Sequence, residues 1–188
     1  MAKLYYNYSA MNAGKSAQLL QAAHNYEQNG SHVWYFNYFA DDRFGAGKIS
    51  SRIGLEHDAV LYSEEFDFRH YFMVADSLPR AIFIDECQFL TEEQVLVLAR
   101  IVDEFNIPVL CYGIRNDYMG KLFPGSAALL CNADEIREIK AMCSHDECGK
   151  KATHIALHIG GVRVLDGEQT HIGDTDYRSL CRKHFMRE

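Results

Sequence analysis

Apolar positions along residues 15–28 recur with helical spacing: Leu19, Ala22, Ala23 and Tyr26 share one face, and Gly30 stands where a helix stops. Apolar stretches at 4–8 and 32–39 flank this run and read as strands, so the three segments predict a βαβ unit. The same pattern returns downstream. Four apolar residues, 81–84, end in Asp85 and Glu86, and the capping box Thr91-Glu92-Glu93-Gln94 opens a helix whose Val95, Leu98, Val102 and Phe105 repeat with helical spacing. Pro108 then precedes an apolar strand at 109–112. Two such units predict an open α/β parallel sheet flanked by helices, with its ligand at the carboxyl ends of the strands.

Past about Ala141 the pattern changes. Residues 154–159 alternate, with Ile155, Leu157 and Ile159 on one face, and Gly160-Gly161 supplies a turn to Val162 and Val164: a β-hairpin. His154 and His158 fall on the polar side and are expected to be solvated rather than liganding. The division this implies is a nucleotide-binding domain at 1–140 and a small appended domain at 141–188.

A chain of 188 residues with 48% hydrophobic content can bury one good core and a small appendage. A net charge of −7 argues against a protein that works on nucleic acid or membrane surfaces. Residues 1–4 lack a signal-peptide apolar region, and no stretch approaches a membrane span, which makes the cytoplasm the expected compartment. There the six cysteines read as thiols or metal ligands instead of disulfides.

The chemistry sits at two strand ends. Ser9-Ala10-Met11-Asn12-Ala13-Gly14-Lys15-Ser16 follows the first strand and opens the first helix, the context a phosphate-cradling loop requires. Its backbone N–H groups would face phosphates, Lys15 would reach the terminal ones, and the Ser16 hydroxyl would ligate magnesium. The general signature begins with glycine, whereas this loop begins with Ser9. About seventy residues on, Asp85 ends a buried strand as a second magnesium ligand, and Glu86 is left without a metal duty.

A second constellation lies in the appendage. Cys143 and Cys148 have four residues between them, and Cys181-Arg182-Lys183-His184 supplies another pair, a spacing suited to structural zinc. A segment of this size with few large apolar side chains needs such a staple. His145 competes with His184 as fourth ligand. Cys87, Cys111 and Cys131 stand among apolar residues and read as core fillers, although Cys87 adjoins the carboxylates.

SAMNAGKS at 9–16, DDRFGAGKISSRIGL at 41–55, DECQFL at 85–90, CYGIRNDYMGKLF at 111–123 and the terminal CRKH together resemble the thymidine kinase family, close to bacterial members of the cytosolic type. The likeness covers nearly the whole chain in one order. It implies a P-loop kinase domain with a zinc-binding lasso, transferring the γ-phosphoryl group of ATP to the 5′-hydroxyl of thymidine with magnesium. It also implies a homotetramer inhibited by thymidine triphosphate. On this reading the ATP contacts are residues 9–16, Arg43, Asp85, Glu86, Cys87 and Gln88. Glu86 is the base that takes the hydroxyl proton, the competing role being to orient water or Lys15.

The resemblance places thymidine against Met11, Phe89, Tyr118, Phe123 and Tyr177, with core packing an equal reading for Phe89 and Phe123. Two departures from the family pattern stand out. Ile172-Gly173-Asp174-Thr175-Asp176-Tyr177 lacks a double glycine and is one residue shorter, and the Cys-x4-Cys loop is longer than usual. Two other classes fit parts of the pattern: a P-loop ATPase whose zinc hairpin binds nucleic acid, and a module that holds nucleotide without turnover. The acidic charge and the lack of a basic, aromatic-interleaved stripe weigh against the first. The intact Lys15, Ser16, Asp85 and Glu86 set weighs against the second.

Overall fold

The computed structural model describes residues 1–41, 47–170 and 176–187. In chain order, β1 (Leu4–Ser9) leads to α1 (Lys15–Glu27), β2 (Val33–Tyr38), β3 (Lys48–Ser50), β4 (Glu56–Asp58) and β5 (Val60–Tyr62). Next come α2 (Phe68–Met73), β6 (Ala81–Ile84), a 3-10 turn (Cys87–Phe89), α3 (Glu92–Phe105) and β7 (Val109–Ile114). After these follow α4 (Pro124–Asn132), β8 (Glu135–Glu138), β9 (Ala141–Met142) and β10 (Lys151–Ala152). The chain closes with β11 (His154–Ile159), β12 (Val162–Val164), β13 (Asp176–Leu180) and α5 (Arg182–Phe185).

Six strands form one sheet, ordered β5-β2-β6-β7-β1-β8, with every neighbouring pair parallel. The central strands are covered on both faces, which is why β2 begins with four consecutive apolar residues, Val33–Phe36, before the buried Asn37. Its Val33 and Tyr35 pack with Leu19, Leu20 and Ala23 of α1, while Trp34 and Phe36 join the opposite core with Val95, Leu98 and Val102 of α3. The α/β expectation holds. β7 lies between β1 and β6, so the ends of those two strands open onto one edge of the sheet.

The capping box at α3 is formed as the sequence indicates: Thr91 Oγ1 accepts from the Gln94 N–H at 3.1 Å, and Gln94 Oε1 accepts from the Thr91 N–H at 3.0 Å. Gln94 is buried, and its amide also donates to the carbonyls of Ser63 at 2.8 Å and Phe66 at 3.0 Å, tying the helix start to the loop after β5.

Gly125 in α4 explains how the turn after Glu86 is held. A Cβ there would stand 2.5 Å from the Cys87 carbonyl oxygen and 2.7 Å from that of Leu90, both backbone atoms that cannot swing aside. Gly125→Ala is therefore expected to overpack this contact by about 1–3 kcal/mol and lower Tm by roughly 3–10 °C, measured by thermal unfolding. An unchanged Tm would mean that α4 does not clamp the turn.

In the C-terminal segment, β9 pairs with β10, and β12-β11-β13 form an antiparallel sheet. The hairpin is where the sequence places it, but two expectations about side chains are corrected. His158 is buried, and His154 is half-buried with its ring 4.5 Å from Phe185. The reason is that β13 flanks β11 and α5 packs across the strand, covering the face whose alternation looks polar. Ile159, on the apolar face, is left exposed near the turn. Neither histidine joins the Cys/His cluster described below. Cys87 and Cys111 are fully buried as expected, whereas Cys131, in the last turn of α4, is exposed.

Candidate active site

The loop between β1 and α1 is closed by residues in left-handed conformations, Asn12 at φ 61° and Gly14 at φ 80°. Asn tolerates that region better than most residues, and Gly meets no steric cost there. No side chain caps α1, which leaves its first-turn N–H groups for a ligand. Lys15 is 9% exposed, and its ammonium donates to Ser9 Oγ and the Ala10 carbonyl, each at 3.3 Å. Ser9 thus supports the loop locally, since its hydroxyl donates to the Ala10 carbonyl at 2.5 Å and accepts from Lys15.

Asp85 and Glu86 leave the end of β6 beside this loop. Asp85 is 2% exposed, and burial pushes its carboxyl above the usual carboxylate range, with the Glu86 charge adding to the effect. The nearby Ser16 hydroxyl, the Glu86 N–H that donates to Asp85 Oδ1 at 3.0 Å, and the Lys15 charge pull it partly back. Ser16 and Asp85 are therefore brought together as the sequence expects, and a buried carboxylate beside a hydroxyl is a donor pair that fits a hard divalent cation.

Glu86 sits at φ 49° and ψ 36°, a left-handed conformation that costs about 1 kcal/mol or more for a residue with a side chain. The surroundings enforce it. The Tyr62 hydroxyl, on a fully buried ring, donates to the Glu86 carbonyl at 2.8 Å, and the Gln88 amide donates to Glu86 Oε2 at 2.5 Å. Gln88 is in turn fixed by the Ile114 N–H donating to its Oε1 at 3.1 Å. β7 thereby orients the carboxylate that follows β6.

Glu86, residues 11–17 of the loop and Ile114 line a cleft of about 250 Å³. Its remaining wall is Ser50, Ser51, Arg52 and Ile53, at the tip of the β3–β4 hairpin. These four residues fall within the motif at 41–55, yet nothing in their types or spacing assigns them a contact. Their only signal is an isolated polar run between two short strands, which the pairing of β3 with β4 turns into an arm. Cys87 and Gln88 do not line this cleft; Cys87 packs against Cys111 in the core, and Gln88 acts through Glu86. Arg43 lies outside the described residues.

A wider cleft of about 920 Å³ separates the loop tip, Met11–Ala13, from β9 and β13, and Tyr177 lines it. Tyr177 also packs in a small cluster with Ala10, Met11 and Ile155, so a tyrosine that looks unsupported in sequence has apolar neighbours. The Ser179 hydroxyl donates to the Met11 carbonyl at 2.7 Å, pinning the loop tip to β13. Phe89, Phe123 and Tyr118 lie apart from these two clefts. Phe89 stacks on Tyr38 with ring centroids 4.2 Å apart and meets Phe123 edge-on at 5.7 Å.

The buried Tyr118 hydroxyl donates to the Glu168 carbonyl at 2.8 Å, and the Gln169 amide donates to Asp117 at 3.0 Å. These bonds fasten 168–169 over the loop after β7. Most of the 172–177 segment expected to be one residue short falls at 172–175, outside the described residues.

The sulfur and nitrogen donors of Cys143, Cys148, Cys181 and His184 all lie within 4.8 Å of one another. Cys143 Sγ is 3.4 Å from His184 Nδ1, Cys181 Sγ is 3.6 Å from it, and the Cys148 and Cys181 sulfurs are 4.0 Å apart. A tetrahedral ion with metal–sulfur bonds of about 2.3 Å sets its ligands roughly 3.5–3.8 Å apart, so this Cys3His set fits one metal ion. His145 is outside the cluster and stacks on the His184 ring at 3.8 Å. Among the described residues no helix is long and apolar enough to cross a membrane.

The family model for thymidine kinase matches residues 2–185. The chain is similar to the thymidine kinase of Photobacterium profundum, 49% identical over 189 residues that cover 98% of this chain and 97% of that protein. It is 48% identical to the thymidine kinase of Ruegeria pomeroyi, covering 98% and 94% of the two chains. The same identity relates it to the thymidine kinase of Vibrio cholerae, with 98% and 97% covered.

Proposed function

The chain belongs to the thymidine kinase family, and from that premise we propose that it transfers the γ-phosphoryl group of ATP to the 5′-hydroxyl of thymidine, giving thymidine monophosphate and ADP. The observation that carries this reading is the delivery of Glu86, oriented by Gln88, into the same cleft as Lys15 and the phosphate loop.

Loop N–H groups and Lys15 hold the β- and γ-phosphates, which requires the Lys15 ammonium to leave Ser9 and Ala10 for the nucleotide. Ser16 and Asp85 would hold magnesium, which supplies charge neutralisation on the transferring group. Glu86 accepts the proton of the attacking hydroxyl, with the Gln88 amide aiming its carboxylate. Arg43 completes the expected phosphate contacts.

Met11 and Tyr177 bound the approach to the loop, and Phe89, Phe123 and Tyr118 support the lasso side of the nucleoside site. Residues 1–140 form the nucleotide-binding domain and 141–188 the zinc and lasso domain, with zinc held by Cys143, Cys148, Cys181 and His184. The reading extends to a cytoplasmic homotetramer inhibited by thymidine triphosphate. The ATPase alternative is not favoured, since the family match spans both the sheet and the hairpin segment.

The test is ADP release from magnesium ATP by zinc-replete protein with thymidine, deoxycytidine, deoxyadenosine or no nucleoside. Thymidine-dependent release with thymidine monophosphate formed is the expected result. Release that ignores every nucleoside, or rises with DNA or RNA, would overturn it.

A further inference from the structure

The β3–β4 hairpin is built as an arm. At its base Ile49 is fully buried against the α1 core, and the Asn37 amide donates to the Lys48 carbonyl at 2.9 Å. On β4 the His57 ring stacks on Tyr35 at 3.9 Å, and its Nε2 lies 3.5 Å from Glu27 Oε1, a carboxylate on α1 that also accepts from the Tyr35 hydroxyl at 2.9 Å. The strands are thus fixed to both β2 and α1.

The tip is fixed as well. The Ser51 N–H donates to the Leu55 carbonyl at 2.8 Å, the Leu55 N–H returns to Ser51 Oγ at 3.0 Å, and the Gly54 N–H donates to the Ser51 carbonyl at 3.0 Å. Gly54 takes φ 85°, a value that favours glycine, so the turn that presents Arg52 is preorganised.

Arg52 and Ile53 at this tip line the same cleft as Glu86 and residues 11–17. Arg52 is exposed, and among the described residues no hydrogen bond or ion pair engages its guanidinium. Lys15 is the cation the loop itself brings to that cleft, and it stands beside two carboxylates. A triphosphate bound there needs further positive charge, and a planar guanidinium matches phosphate oxygens in a paired geometry that an ammonium does not offer.

We infer that Arg52 is a phosphate-contact residue: the β3–β4 arm places its guanidinium on the β- and γ-phosphates of the nucleotide, from the side opposite Lys15. The arm supplies from a separate element the charge that spreads over the transferring group. This inference rests on the nucleotide-binding reading of the cleft.

Isothermal titration of the full chain, wild type, Arg52→Ala and Arg52→Lys, with magnesium ATP and with AMP, tests it alongside steady-state turnover. Arg52→Ala is expected to weaken ATP binding by about tenfold or more with AMP binding unchanged, and to lower kcat by roughly 10²-fold. Arg52→Lys should recover part of both losses. Tm and zinc content should stay at wild-type values, because the side chain is exposed. Arg52→Ala with wild-type ATP affinity and turnover would overturn the inference while leaving the kinase reading intact. A wild-type protein that binds no ATP would instead remove the kinase reading, and the inference with it.

Discussion

Glu86→Gln is expected to lower kcat by two or more orders of magnitude while ATP binding stays near the wild-type value. The substitution preserves size and hydrogen-bonding reach, so the left-handed backbone at this position and the Tyr62 bond to its carbonyl should persist. What it removes is the basic oxygen. A positioned general base contributes about 10²–10⁴-fold, and an amide cannot accept the hydroxyl proton. Gln88 sharpens the test, because its amide donates to Glu86 Oε2 and is itself held by the Ile114 N–H. Gln88→Ala should therefore give a smaller loss of turnover, a positioning effect with ATP affinity retained. The measurement is single-turnover phosphoryl transfer set beside titration of ATP. Near-normal turnover in Glu86→Gln would remove Glu86 as the base and leave it the lesser role of ordering water or Lys15.

Removing the metal is expected to have the largest structural effect, confined in the main to residues 141–187. Cys143→Ser, or chelation of the wild-type protein, leaves buried and half-buried donors facing one another with no cation to satisfy them. The apolar cluster around them is small: Cys143, Ala156, Leu180, Cys181 and Phe185, with three of the four ligands among or beside its members. Metal binding in small structural zinc modules is worth about 10–16 kcal/mol, far more than such a cluster supplies.

Loss of β13 would free the Met11 carbonyl from Ser179, so the phosphate-loop tip and the wide cleft should loosen together. Hydrogen exchange is expected to show lost protection in 141–187 with the six-stranded sheet still protected, and thymidine phosphorylation should fall to background. A soluble, zinc-replete Cys143→Ser protein with unchanged exchange would contradict the ligand assignment.

The parallel sheet was legible because its central strands β1, β2, β6 and β7 are largely buried and α1 and α3 each carry an apolar face. Those patterns arise from local periodicity, which a linear sequence preserves. The phosphate loop and the carboxylate pair were legible for a related reason: each ends a strand, and parallel strands open their ends onto one edge. The two cysteine-bearing segments were legible from residue type and spacing, but the choice of His184 over His145 came with the fold, which gathers Cys143, Cys148, Cys181 and His184 within reach of one ion.

Polarity misled where a second element covers a face. His158 reads as solvated until β13 and α5 pack on β11, and Cys131 reads as buried although its place in the last turn of α4 turns it outward. Tyr177 looks unsupported until Ala10, Met11 and Ile155, distant in sequence, gather beside it.

The sequence alone therefore determined the two βαβ units, the C-terminal hairpin and the family, which depend on local periodicity or on motif order, whereas β3–β5, α2, α4 and the edge strand β8 emerged only with the fold. Only the tertiary structure decided that Gln88 aims Glu86, that Ser179 pins the phosphate loop, and that the β3–β4 arm brings Arg52 to the cleft. Those contacts join residues 2, 168 and dozens of positions apart. Their energies depend on where folded elements meet, a quantity that periodicity and spacing do not carry.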